Sequence, residues 1–135
     1  MARALGIDFG FKRTGLAVTD PLRICVNRLE TIASETLDQF LDDYLKKEEV
    51  DLIVFGDPFH NDGTATPVSV EVHEKARKLK IKYPGLNIDF QDEQGTSRKA
   101  VRVLIDKGTP QSKRNKTAID QMSAVLILQE YLKHY

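Results

Sequence analysis

The sequence predicts an α/β domain built on a mixed sheet, an antiparallel hairpin followed by parallel strands joined through crossover helices. Three observations carry this. Two short apolar runs, Leu5 to Phe9 and Leu16 to Thr19, flank the turn-forming stretch Phe9-Gly10-Phe11-Lys12-Arg13-Thr14-Gly15, the pattern of a hairpin. The run Leu52-Ile53-Val54-Phe55 is apolar without alternation, as in a strand covered on both faces. Amphipathic stretches of helical spacing separate the later strands, and that order favours parallel pairing.

In the first strand Leu5, Ile7 and Phe9 alternate with Ala4, Gly6 and Asp8, so one face is filled with large side chains and the other offers small residues and a carboxylate. Something must approach that small face closely. Gly10 and Gly15 bracket the Lys12-Arg13 turn, which predicts a four- or five-residue hairpin loop. A carboxylate on a central strand beside two mobile cations is either a metal-and-phosphate site or an internally paired charge. Ile24 to Ile32 follows as a third, less buried strand and a candidate sheet edge.

Ser34 is placed to cap a helix in which Leu37, Phe40, Leu41, Tyr44 and Leu45 share a face, with Asp38, Asp42 and Asp43 on the solvated side. Asp51 to Phe55 forms a central strand that Gly56-Asp57-Pro58 ends, and Phe59 to Thr66 reads as a loop at its carboxyl end. Thr66 then caps a helix with Pro67 at its first position and a buried stripe of Val68, Val72, Ala76 and Leu79. Leu86 to Phe90 alternates as the fifth strand and runs into Gln91-Asp92-Glu93. A helix from Thr96, carrying Ala100, Val101, Val103, Leu104 and Ile105, stops at Gly108. The polar connector Thr109 to Lys116 holds Lys113, Arg114 and Lys116. The final helix, from Thr117 or Ala118 to about Lys133, sets Asp120 in line with Ala124, Ile127 and Tyr131, where an unpaired charge would be costly.

Composition narrows the function classes. With 135 residues, 41% of them hydrophobic, one domain over residues 1–135 is expected. The 20 basic and 20 acidic side chains cancel, so bulk charge points to no partner. The one cysteine, Cys25, cannot form an internal disulfide, and His60, His73 and His134 lack zinc-ligand spacing. No apolar leader or membrane-length run is evident, which makes the cytoplasm the expected compartment and a membrane partner unexpected.

The acids that stand out are Asp8 in the first strand, Glu93 just beyond the fifth, and Asp120 at the start of the final helix. Three carboxylates without nearby zinc-type ligands repel one another, and hard divalent ions compensate them through oxygen coordination, which implies Mg²⁺ or Mn²⁺. Two such ions about 3.5 to 4 Å apart activate a water and stabilise the departing oxygen in phosphodiester cleavage. Lys12, Arg13, Lys113, Arg114 and Lys116 lie on loops from which they either contact phosphates or remain ordinary solvated charges.

The linear pattern is more specific. GIDFGFKRTGLAVTD, IVFGDPFHNDGT, DEQGT and DQMSAVLILQEYL come in an order and spacing that resembles the bacterial Holliday junction resolvase-like family, also described as the nuclease family that matures the 5′ end of pre-16S ribosomal RNA. The resemblance spans essentially the whole chain. It implies a ribonuclease H-like fold with a five-stranded mixed sheet, Asp8, Glu93 and Asp120 as metal-binding catalytic acids, and Lys12-Arg13 as a basic turn. It further implies an RNA or DNA substrate, precursor rRNA foremost, with ribosome association and a monomeric or weakly dimeric state. Two departures stand against the pattern: Asp57 where the family usually has Leu, and Gln94-Gly95 where it has Arg followed by a large apolar residue. A neutral amide in place of a guanidinium weakens phosphate or carboxylate pairing, and Gly95 loosens the loop carrying Glu93. Two alternatives therefore accompany rRNA processing: Holliday junction resolution, and a catalytically impaired nucleic-acid-binding role in ribosome assembly. An ATP-binding domain of the actin and sugar-kinase type would need a second lobe, and no GxxxxGK[ST] loop is present.

Overall fold

Alternation of large and small side chains along the first strand decides how the layers form. The computed structural model describes residues 2–58, 63–92, 96–108 and 115–133, apart from the side chains of 96–98. β1 (Arg3–Phe9) lies at the centre of a five-stranded sheet, with two strands on either side of it. β2 (Arg13–Thr19) and β3 (Val26–Ala33) continue from it as an antiparallel meander, while β4 (Val50–Asp57) and β5 (Asn87–Asp92) are parallel to it on the other side. Leu5, Ile7 and Phe9, with Leu16, Val18, Ile53 and Phe55, pack against α1 (Leu37–Lys47) and α2 (Pro67–Lys82). The opposite face receives α3 (Thr96–Asp106) and α4 (Lys116–Leu132). There Ala4, Leu52 and Val54 meet Ile127 and Leu128, and Ala17 meets Leu104, Met122 and Ala124. The expected mixed sheet with helices on both faces is what the chain forms.

The small face of β1 is small because α4 presses on it. A Cβ at Gly6 would stand 2.9 Å from the Ala124 carbonyl oxygen and 3.0 Å from Leu128 Cβ. Other local expectations hold as well. The Thr66 hydroxyl accepts from Ser69 N at 3.1 Å with Pro67 opening α2, and Gly108, at φ 73°, follows the end of α3.

Several boundaries differ, each for a local reason. The hairpin loop has three residues, 10–12, because Thr14 pairs with Phe9 and Gly10 N donates to Arg13 O at 3.0 Å. β3 starts at Val26 because Asp20 Oδ1 accepts from Ile24 N (2.9 Å) and Cys25 N (2.7 Å), closing a turn there. Ser34 does not cap α1. It opens a 3₁₀ turn, Ser34–Thr36, and its hydroxyl is drawn to Thr14 Oγ1 (2.8 Å) and the Gly10 carbonyl. β5 runs on to Asp92 because β4 supplies Asp57 as its pairing partner. α4 starts one residue before Thr117, capped by the Asn115 side chain, which accepts from Ala118 N at 2.9 Å. Ile105, expected on the apolar side of α3, is 47% exposed. Asp42 does more than face solvent, since it accepts from Lys82 Nζ at 2.7 Å and from the Tyr83 hydroxyl. The Lys82 bond, then that of Tyr83, holds its carboxyl below the ordinary 3.8.

Asp57, where the resembling family has Leu, is buried at the end of β4. Ser69 donates its hydroxyl to Oδ1 at 2.5 Å, and His73 Nε2 lies 2.7 Å from Oδ2 while its ring stacks on Phe90 at 4.1 Å. The order of the three groups, with the carboxylate in the middle, is wrong for activating a serine and right for tying α2 to β4. His73→Ala is expected to lower unfolding free energy by about 1–3 kcal/mol, because it leaves the buried carboxylate with a partner missing. The same change in an Asp57→Leu background is expected to cost less, and denaturant titration of the four-variant cycle measures the difference.

Candidate active site

β1 carries Asp8 one residue before its end, half-buried and on the small face with Ala4 and Gly6. The antiparallel register sets Gly15 of β2 opposite it. A Cβ at Gly15 would lie 2.1 Å from the Asp120 carbonyl oxygen and 2.4 Å from its carbonyl carbon, so the missing side chain is what admits the first turns of α4. The glycine opposite one acid thus seats the backbone of another. Local pattern reads Gly15 as the end of a turn and the family resemblance marks it as a closely approached position; the identity of its neighbour, 105 positions away, leaves no local trace.

Asp120 is paired. Its Oδ2 accepts from Arg13 Nε at 2.9 Å, across 107 residues of sequence, with the two side chains 21% and 34% exposed. The charge that would be costly on the inner side of α4 is therefore met by the first residue of β2. Arg13, expected as a phosphate contact, is engaged with the acid in this structure, while Lys12 stands exposed at the hairpin tip. Lys116 is exposed one helical turn before Asp120.

On the other flank of β1, Ile7 pairs with Phe55 of β4, and Asp57 pairs with Asp92 of β5. Asp8 and Asp92 consequently lie at the carboxyl ends of the parallel strands, where open α/β sheets bind ligands. Glu93 follows Asp92 directly in sequence but lies outside the described residues, as do Gln94, Gly95, Lys113, Arg114, His60 and His134.

Among the described residues no group of three or more His, Cys, Asp and Glu side chains gathers closely enough to hold a metal. What the described part supplies is Asp8 on β1 and Asp120 on α4, whose backbones both neighbour Gly15. Carboxylate oxygens without imidazole or thiolate suit a hard divalent cation, and the Arg13 guanidinium orients the Asp120 carboxylate. The donor chemistry fits the expected metal.

A family model described as Holliday junction resolvase, RuvX, matches residues 2–134. A protein of Flavobacterium psychrophilum named "Putative pre-16S rRNA nuclease" is 40% identical over 133 residues, covering 98% of this chain and 97% of its own. One of the same name from Porphyromonas gingivalis is 42% identical over 133 residues, covering 98% and 96%. Among solved structures, Thermus thermophilus RuvC in complex with Holliday junction substrate has a TM-score of 0.58 at 15% identity, over 99% of this chain and 96% of that one. The yeast mitochondrial Holliday junction resolvase gives 0.55 at 16%, over 99% and 81%. These two likenesses establish the fold. The family model and the relatives run the length of the chain and through both Asp8 and Asp120, and on that ground the chain belongs to the RuvX family.

Proposed function

We propose that this protein is a metal-dependent nuclease that hydrolyses phosphodiester bonds in the 5′-end processing of pre-16S rRNA, with Asp8, Glu93 and Asp120 as the acids that hold Mg²⁺ or Mn²⁺. The observation that carries the reading is the seat at Gly15, which sets Asp120 of α4 over the strand position facing Asp8. That contact, which no side chain at position 15 would tolerate, supports a shared site for two acids from remote segments.

When bound, the cation supplies Lewis-acid stabilisation of the phosphate and a water of lowered pKa. The chain's own residues do the rest. Asp8 sits on the central strand, whose partners on both sides hold it rigid. Arg13 orients Asp120 and keeps its charge compensated. Lys12 and Lys116, with Lys113 and Arg114, contact phosphates flanking the cut, which fixes the register of the substrate without reading its sequence. The reading carries with it a cytoplasmic site of action, an RNA partner at the ribosome and a monomer or weak dimer.

The test incubates the purified protein with a precursor rRNA 5′ end, a four-way DNA junction and a single-stranded control, in Mg²⁺, Mn²⁺ or chelator. Cleavage of the rRNA end that stops in chelator is expected. Cutting confined to the junction would move the assignment to resolution. Salt-sensitive binding with no cutting in either metal would move it to a non-catalytic role in ribosome assembly.

A further inference from the structure

We propose that Phe11 is a base-stacking platform at the tip of the β1–β2 hairpin that holds one unpaired nucleotide, so that the protein takes single-stranded nucleic acid in preference to duplex. The proposal rests on the nuclease reading above and names what that reading leaves open, the strandedness of the substrate. Phe11 is 62% exposed, and among the described residues it is the aromatic member of an exposed apolar set that is otherwise aliphatic. It lies three residues past Asp8, at the tip of the β1–β2 hairpin, next to exposed Lys12.

An exposed phenyl ring on a floppy loop would mean little, but this loop is held. Gly10 N donates to Arg13 O at 3.0 Å, Ser34 N donates to Lys12 O at 3.1 Å, and the Ser34 hydroxyl donates to the Gly10 carbonyl. Beneath it, Phe9 meets the Phe11 ring edge to face, centroids 5.9 Å apart and planes at 77°. The Phe9 ring in turn has Lys75 Nζ 5.2 Å from its centroid. The ring is thus presented ready-made, and little ordering entropy remains to be lost on binding. An exposed ring whose chain neighbour is the exposed Lys12 matches a nucleotide, which pairs a negative phosphate with a flat base. A base inside a duplex already stacks on both sides, so an unpaired base is what the ring accepts.

The chain contains no tryptophan, so Phe11→Trp introduces a single tryptophan at the proposed contact, excited selectively apart from the four tyrosines. With chelator present to prevent cutting, three probes are titrated: a dodecamer of oligouridylate, an abasic ribose-phosphate oligomer of the same length, and a fully paired RNA duplex. Emission of Phe11→Trp is expected to be quenched by oligouridylate and unchanged by the abasic oligomer. Phe11→Ala should weaken oligouridylate binding by about tenfold, with Phe11→Tyr close to wild type and affinity for the abasic oligomer unmoved. Affinity for the abasic oligomer that stays unmoved in Phe11→Ala separates stacking from a folding defect.

Wild-type binding to oligouridylate with Phe11→Ala equally tight, or Phe11→Trp unquenched at saturation, overturns this proposal and leaves the nuclease reading standing. Wild-type binding to none of the probes removes the nucleic-acid reading itself, and this proposal with it. A change in sedimentation of Phe11→Ala with RNA affinity intact assigns the ring to contact between protein copies and overturns stacking.

Discussion

Asp8→Asn is expected to reduce metal-dependent cleavage by about a hundredfold to a thousandfold. The substitution keeps the shape of the side chain and the half-buried position near the end of β1, so the strand and its two pairings remain. What it removes is the negative charge by which the position would hold a cation. Asp120→Asn should be as damaging to cleavage and also destabilising, because it discards the charge-assisted bond from Arg13. Such bonds are worth roughly 1.5–3 kcal/mol when well buried, but solvent reaches both partners here and lowers the expectation to about 1 kcal/mol. Single-turnover rates on the rRNA end, calorimetric Mn²⁺ titration and urea unfolding of both variants separate the two roles. Cleavage by Asp8→Asn at the wild-type rate would leave the acids as structural charges.

Much of this arrangement is legible in the sequence because it is local. Alternation along β1 shows the small face and places Asp8 on it, and the same kind of pattern marks β4 as central. Thr66-Pro67 declares the start of α2 through chemistry confined to four residues. What the sequence does not show is which remote segment answers a local feature. The small face demands a close neighbour, yet nothing in Ala4, Gly6 or Gly15 says that it is α4. Asp120 demands a cation, and Arg13 offers one, but a separation of 107 residues hides their meeting. From local pattern alone Gly15 looks like a turn residue, because a glycine needed for close approach and one needed for a bend are the same letter; the family resemblance marks it as closely approached, and the backbone of Asp120 is what approaches it. Gly56-Asp57-Pro58 looks like a strand terminator, although Asp57 is a buried anchor whose partners Ser69 and His73 sit four residues apart on α2. Ser34 fits a capping position, and only the nearby Gly10 carbonyl and Thr14 hydroxyl explain why it serves them instead.

Gly15→Ala tests whether the close approach of α4 builds the site or merely fills the fold. The added methyl would meet backbone atoms of Asp120 at 2.1 and 2.4 Å, and backbone in a helix cannot step aside as a flexible side chain can. Either α4 lifts from the sheet, or β2 is pushed out of register. Both outcomes expose apolar surface at Ala118 and Met122 and move Asp120 relative to Asp8, so a loss of about 2–4 kcal/mol and of metal affinity together is expected. Gly6→Ala is the graded control. Its Cβ would meet the Ala124 carbonyl at 2.9 Å and Leu128 Cβ at 3.0 Å, a milder clash farther along α4, for which about 1–3 kcal/mol is expected. Gly85→Ala, with nothing within 4 Å of its Cβ and no left-handed backbone, should stay within about 0.5 kcal/mol of wild type. Urea unfolding ranks the three variants, and Mn²⁺ calorimetry under fully folded conditions asks the sharper question. If Gly15→Ala folds but binds Mn²⁺ more weakly than Gly6→Ala does, the seat at position 15 acts on the acids directly; if the two lose affinity only in proportion to stability, the glycines serve the core and the site merely inherits its geometry.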